Sequence, residues 1–125
     1  MKSVLLAEDD RFLRRACETK LRQRGFEVRV AVDGEEALVL VRERMPDLIL
    51  LDLLMPKRDG LSVLEALKAD DQTRQIPVVI LSNSSRDFEM TRASALGAVD
   101  YWIKSNVSLQ EICDRVDRLL QGAAE

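Results

Sequence analysis

One α/β domain built on a five-stranded parallel sheet is the fold that this sequence predicts, and three observations predict it. Five short apolar segments, at residues 3–7, 27–31, 48–51, 77–81 and 98–103, each run into a polar break. Each is followed by a stretch that reads as a helix, so the β-α unit recurs five times, the pattern of a parallel sheet with helices on both faces. The first, third and fourth segments are continuously apolar, as strands buried on both sides are, whereas Glu27-Val28-Arg29-Val30-Ala31 alternates and the fifth is mixed. That puts strands two and five at the edges and gives the order 2-1-3-4-5.

The elements follow in turn. Ser3-Val4-Leu5-Leu6-Ala7 makes the first strand and stops at Glu8-Asp9-Asp10. Leu13, Cys17 and Leu21 recur every four residues, and Gly25 closes that helix in the manner of a C-terminal cap. Asp33-Gly34-Glu35-Glu36 has capping-box spacing and opens a helix through about Glu43. Leu48-Ile49-Leu50-Leu51 ends at Asp52, and Pro56 with Asp59-Gly60 marks the turn beyond it. A short helix at 62–69 buries Leu64 and Leu67, and a weakly amphipathic one covers 87–96. Ser108-Leu109-Gln110-Glu111 is a second capping box, ahead of the strongest stripe in the chain: Leu109, Ile112, Cys113, Val116, Leu119 and Leu120. Residues 1–121 form the domain, and 122–125 read as a tail or the start of a linker.

Composition narrows the function. A chain of 125 residues with 46% hydrophobic and 33% charged content is an ordinary globular domain with a real core. Its apolar runs fall far short of the ~20 residues that span a bilayer, and Lys2 is followed by no signal-peptide core, so a cytoplasmic protein with no membrane contact is expected. The absence of histidine removes His-based triads, His-bearing zinc sites and a phosphohistidine role. Cys17 and Cys113 lie on apolar stripes and are read as buried, reduced thiols. A net charge of −3 argues against nucleic-acid binding by this chain. Residues 11–24 carry Arg11, Arg14, Arg15, Lys20, Arg22 and Arg24 against Glu18 alone, either a solvated face or a docking face for an acidic or helical partner.

Parallel strands share one rim at their C-terminal ends, and ligands of such sheets bind there. The acidic triplet, Asp52, Ser82 and Lys104 then converge. A carboxylate set between two apolar runs, as Asp52 is, costs several kcal/mol unless it is paired, wet or metal-bound (about that order). Glu8, Asp9 and Asp52 together repel one another unless a cation sits among them, and oxygen-only ligands favour a hard ion, Mg²⁺ above all. Asp9-Asp10 can also serve as a helix cap ahead of Arg11. The Ser82 hydroxyl and the Lys104 ammonium beside a metal make a cradle for a phosphoryl group. Asp52 is then a carboxylate nucleophile that forms an acyl phosphate.

At these residues the chain resembles a known family. Glu8-Asp9, the stretch from Asp52-Leu53-Leu54-Met55-Pro56 through Lys57-Arg58-Asp59-Gly60, then Ser82, then Tyr101-Trp102-Ile103-Lys104, is similar to the receiver domain of two-component response regulators, over almost the whole chain. The resemblance implies a flavodoxin-like, doubly wound sheet with five helices. It implies that Asp52 is phosphorylated by a histidine kinase or a histidine phosphotransfer protein. It implies that Asp9 and Asp52 ligate Mg²⁺ (or Mn²⁺) directly, that Glu8 acts through water and that Leu54 offers its backbone carbonyl. Ser82 and Lys104 bind phosphoryl oxygens, and Tyr101 follows Ser82 in a switch read by a protein target on the face of helix four, strand five and helix five. Two positions depart from the pattern. Ser105 stands where the family has proline after the lysine, so a trans bond is expected there. Leu54, two residues after Asp52, has a side chain that cannot hydrogen-bond an attacking water.

Three other functions compete. A Mg²⁺-dependent phosphatase with an aspartate nucleophile keeps a second Asp where this chain has Leu54, so no enzymatic turnover is expected beyond self-phosphorylation and self-dephosphorylation. A flavin carrier of the same topology needs a phosphate loop that Glu8-Asp9-Asp10 would repel. A degenerate receiver acting as a phosphorylation-independent interaction module would lack part of the set that is present here.

Overall fold

A computed structural model describes residues 1–122. Five strands, β1 (Ser3–Ala7), β2 (Glu27–Ala31), β3 (Leu48–Asp52), β4 (Val78–Ser82) and β5 (Asp100–Ile103), form one sheet in the order β2-β1-β3-β4-β5. All four pairings are parallel, with Ala7 beside Leu51, Asp52 beside Leu81 and Ser82 beside Ile103. Five α-helices complete the fold: α1 (Arg11–Gln23), α2 (Gly34–Glu43), α3 (Gly60–Ala69), α4 (Asp87–Ala95) and α5 (Leu109–Gly122). This is the flavodoxin-like, doubly wound sheet with the expected strand order.

Period-2 alternation splits the apolar strand residues between two cores. Leu5, Ile49, Leu51, Val78 and Ile80 face α2, α3 and α4, while Val4, Leu6, Leu48, Leu50, Val79, Leu81 and Trp102 face α1 and α5. Cys17 and Cys113 are free and buried in the second core, as the apolar stripes required. Burial pushes the Cys17 thiol up to about 12, so it behaves as a small hydrophobe.

Side-chain caps set most helix starts. Asp10 accepts from the backbone N–H groups of Phe12 and Leu13, and Asp33 accepts from that of Glu36. In α2 the Glu36 carboxylate returns a bond to the N–H of Val32 at 2.8 Å, so the reciprocal bond lands one residue ahead of the cap. Gly25, with φ +93°, turns the chain after α1 as its cap position requires. Several boundaries differ from expectation by one residue, and two differ by two residues. Helix α3 begins at Gly60 rather than at residue 62, because Asp59 caps it by accepting from the Ser62 N–H at 2.9 Å. A Cβ on Gly60 would stand 2.2 Å from the carbonyl oxygen of Asp52, so only glycine lets α3 start against the strand end that carries Asp52. Strand β5 is shorter than residues 98–103 because the Ala98 N–H turns back to the Ala93 carbonyl at 3.0 Å and closes α4, and the chain first meets β4 at Val99, whose N–H bonds the Val78 carbonyl at 2.8 Å. Helix α5 runs through Gly122, and the remainder of the tail expected at 122–125 lies outside the described residues.

Candidate functional site

Glu8, Asp9, Asp52, Ser82 and Lys104 come from four strand ends and meet around a cleft of about 530 Å³, which Leu54, Asn83 and Ser84 also line. Asp52 is the last residue of β3 and is 5% exposed. Glu8 follows β1 and is fully buried. The Arg14 guanidinium bonds the carbonyls of Glu8 and Asp9, at 3.1 and 3.2 Å, and the Glu8 carboxylate accepts from the Asp10 N–H at 3.0 Å. The acidic loop is thus held from the first turns of α1, and one arginine of the basic segment is spent on doing so. Arg22 and Arg24 are engaged too, Arg22 with Glu18 and Arg24 with Asp114 and Asp117 of α5.

Of the Asp9-Asp10 pair, Asp10 takes the capping role, while Asp9 is exposed and lines the cleft. One oxygen from each of Glu8, Asp9 and Asp52 lies within 4.8 Å of the others. The Lys104 ammonium stands 2.8 Å from Glu8 Oε1 and 3.3 Å from Asp52 Oδ2. Among the described residues this ammonium is the one group that meets the buried Glu8 Oε1. Burial pushes the Asp52 carboxyl up to about 7, the Glu8 charge adds to the rise and Lys104 opposes it. Burial works against the Lys104 charge, but its bonds to Glu8 and the Asp52 charge prevail and raise its pKa. One ammonium leaves the cluster short of positive charge. Three clustered carboxylates that share a single ammonium, with oxygen-only donors, fit a hard divalent cation.

Ser82 is buried at the end of β4, and its hydroxyl accepts from the Ser84 N–H at 3.1 Å. Among the described residues no protein group accepts its proton, so that donor is free for a ligand in the cleft. Tyr101 is half-buried against the α3–α4 core, and its hydroxyl donates to the Ser84 carbonyl at 2.8 Å. Leu54 offers its N–H to Asp52 Oδ1 at 3.4 Å, and its side chain is 70% exposed. The Lys104–Ser105 bond is trans, as expected, for no described residue has a cis peptide bond. Sequence reasoning missed Arg14 and Ser84. The run Ser82-Asn83-Ser84-Ser85 was a visible sign of a hydroxyl-rich strand end, but nothing local singled out Ser84.

Residues 4–117 match the family model described as the response regulator receiver domain. Over 118 residues the chain is 43% identical to the transcriptional regulatory protein PrrA of Mycobacterium tuberculosis, covering 94% of this chain and 49% of that protein. The chain therefore spans about half the length of the curated relatives it matches. The receiver domain of the Francisella response regulator 1452 superposes with a TM-score of 0.88 at 33% identity, over 98% of this chain and 99% of that one. The phosphorylated cyanobacterial phytochrome response regulator RcpA gives 0.88 at 32% identity, over 99% and 96%. With the fold, the strand-end cluster and these matches in agreement, the chain belongs to the response regulator receiver domain family.

Proposed function

We propose that Asp52 is the phosphoacceptor of this receiver domain and that phosphorylation there switches its protein contacts. The observation that carries the reading is the position of the Asp52 carboxylate, which opens on the rim cleft between the Lys104 ammonium and the acidic pair. A carboxylate oxygen of Asp52 attacks phosphorus, the bond from phosphorus to the donor nitrogen breaks, and the donor imidazole leaves with the electron pair. The donor is a histidine kinase or a histidine phosphotransfer protein, in keeping with the family; this chain has no histidine of its own. Lys104 neutralises charge on the phosphoryl oxygens, and the free Ser82 proton supplies a hydrogen bond to them.

Glu8, Asp9 and Asp52, with the Leu54 carbonyl, would hold Mg²⁺ or Mn²⁺. Such an ion supplies positive charge against the phosphoryl oxygens and favours the ionised, nucleophilic form of Asp52. The chemistry stops at self-phosphorylation and self-dephosphorylation, with no turnover of other substrates. The modified protein is read by a partner on the α4–β5–α5 face, and the chain works in the cytoplasm without binding nucleic acid or membrane itself. No described helix is long and apolar enough to cross a membrane.

Incubation with a small phosphodonor and Mg²⁺ is expected to add one labile phosphoryl group by intact-mass measurement. Equal labelling of Asp52→Asn would overturn the assignment. Titration of Mg²⁺ followed by fluorescence of Trp102, the single tryptophan, is expected to weaken with Asp9→Ala.

A further inference from the structure

Every polar group of Ser84 is in use, and each bond leads to a different part of the molecule. Its N–H orients the Ser82 hydroxyl at 3.1 Å, and its carbonyl holds the Tyr101 hydroxyl at 2.8 Å. Its own hydroxyl donates to the Glu89 carboxylate and accepts from the Arg86 N–H, the latter at 3.3 Å. Arg86 occupies the N-cap of α4 and gives it no side-chain cap. In a capping box the acid three residues into the helix bonds the cap N–H directly. Here Glu89 occupies that acid's place but reaches the cap N–H through the Ser84 hydroxyl, a relay that closes the helix end and fixes the residue between Ser82 and Tyr101.

We propose that Glu89 is a positioning residue for the phosphoryl-reading hydroxyl: by holding Ser84 it aims Ser82 at the cleft and keeps Tyr101 inward. The proposal rests on the phosphoacceptor reading above. Ser82 accepts from Ser84 and has its proton left to give, so the present loop arrangement is the one that offers a donor to the cleft. A loop released from α4 would spread over arrangements of which only some do so, and apparent affinity falls with the fraction that is competent. Glu89 acts at a distance, because it borders the groove outside the cleft, formed with Leu54, Ser84, Ser85 and Arg86, and is absent from the cleft lining itself.

The test is the affinity of the whole chain for Mg²⁺ with beryllofluoride, a phosphoryl analogue, alongside NMR signals of the Tyr101 ring. Glu89→Ala is expected to weaken binding about three- to tenfold, the range of one net hydrogen bond, and to make the Tyr101 ring mobile before any ligand is added. Glu89→Gln keeps an acceptor for the Ser84 hydroxyl without the charge, so it is expected to bind as the parent does. Ser84→Ala combined with Glu89→Ala is expected to cost no more than Ser84→Ala alone, because the two act as one unit. Parent-like affinity in Glu89→Ala, or a Glu89→Gln variant as weak as Glu89→Ala, overturns the relay and leaves Asp52 as phosphoacceptor intact. Failure of the parent itself to bind the analogue overturns the phosphoacceptor reading, and the relay falls with it.

Discussion

The α1–α5 flank of the sheet and the α4 corner of the opposite flank are built to different strengths. On one, α1 and α5 bury Cys17, Leu21, Ile112, Cys113, Val116 and Leu120 around Trp102, and Arg24 ties the helices together through Asp114 and Asp117. On the other, α4 buries Ala93 alone among its residues and has no cap from its own N-cap side chain. Both flanks hang from strands that end at the same rim. A ligand at that rim has a few kcal/mol (order of magnitude) to spend on rearrangement, and it will move whichever element is cheapest to move. On the proposed reading, the α1–α5 side serves as the reference against which α4 and its loop shift, and the proposed partner face takes in α4 for that reason.

The largest break in this comparison should come from the firm flank. Leu21 is fully buried between α1 and the sheet, and Leu21→Ala is expected to cost about 2–5 kcal/mol in urea unfolding, against about 1–2 for Ala93→Gly in α4. Equal losses would remove the asymmetry.

The rim itself gives the next effect. The folded pKa of Asp52 stands near 7, above the ordinary 3.8, so the native state binds a proton that the unfolded state has released. Stability without divalent metal therefore falls as pH rises from about 4 to about 7, as this group ionises, and returns on acidification through the same window. Asp52→Asn is expected to be more stable than the parent by roughly 1–4 kcal/mol at pH 8 in chelator, with the gap closing toward pH 4. A gap that stays constant across that range would show that the cluster is already neutralised by its neighbours.

The smallest effect sharpens the firm flank. The Arg115 guanidinium lies 5.5 Å over the Trp102 ring, on the outer side of that core. Arg115→Ala is expected to lower stability by only ~0.5–1 kcal/mol and to shift Trp102 emission. A larger loss would mean that the Arg115 stem packs the helix as well as stacking on the indole.

Much of this molecule is legible in the sequence because its signals are local. Continuous apolar runs fixed the central strands, and Asp33 announced the start of α2 within four residues. The site was legible for the same reason: Glu8, Asp52, Ser82 and Lys104 each stand at or just after a strand end, and parallel strands bring such ends to one rim. Legibility failed where a residue had two local options. Asp59-Gly60 reads equally as a turn and as a helix start, and the close approach of Gly60 to the Asp52 carbonyl, a tertiary contact, decided for the helix. Ala98 is apolar enough for a strand, yet the turn that closes α4 claims it.

By itself, then, the sequence determined the order of elements, the parallel sheet and the identity of the residues at its rim, because hydrophobic period and turn chemistry act over a few residues. Tertiary structure alone decided how those residues are wired. Lys104 lies across Glu8 and Asp52, Arg14 grips the acidic loop, and Ser84 joins Ser82, Tyr101 and Glu89. Hydrogen bonds and charge pairs depend on ångström distances between segments far apart in the chain, and no periodicity in the sequence carries that information.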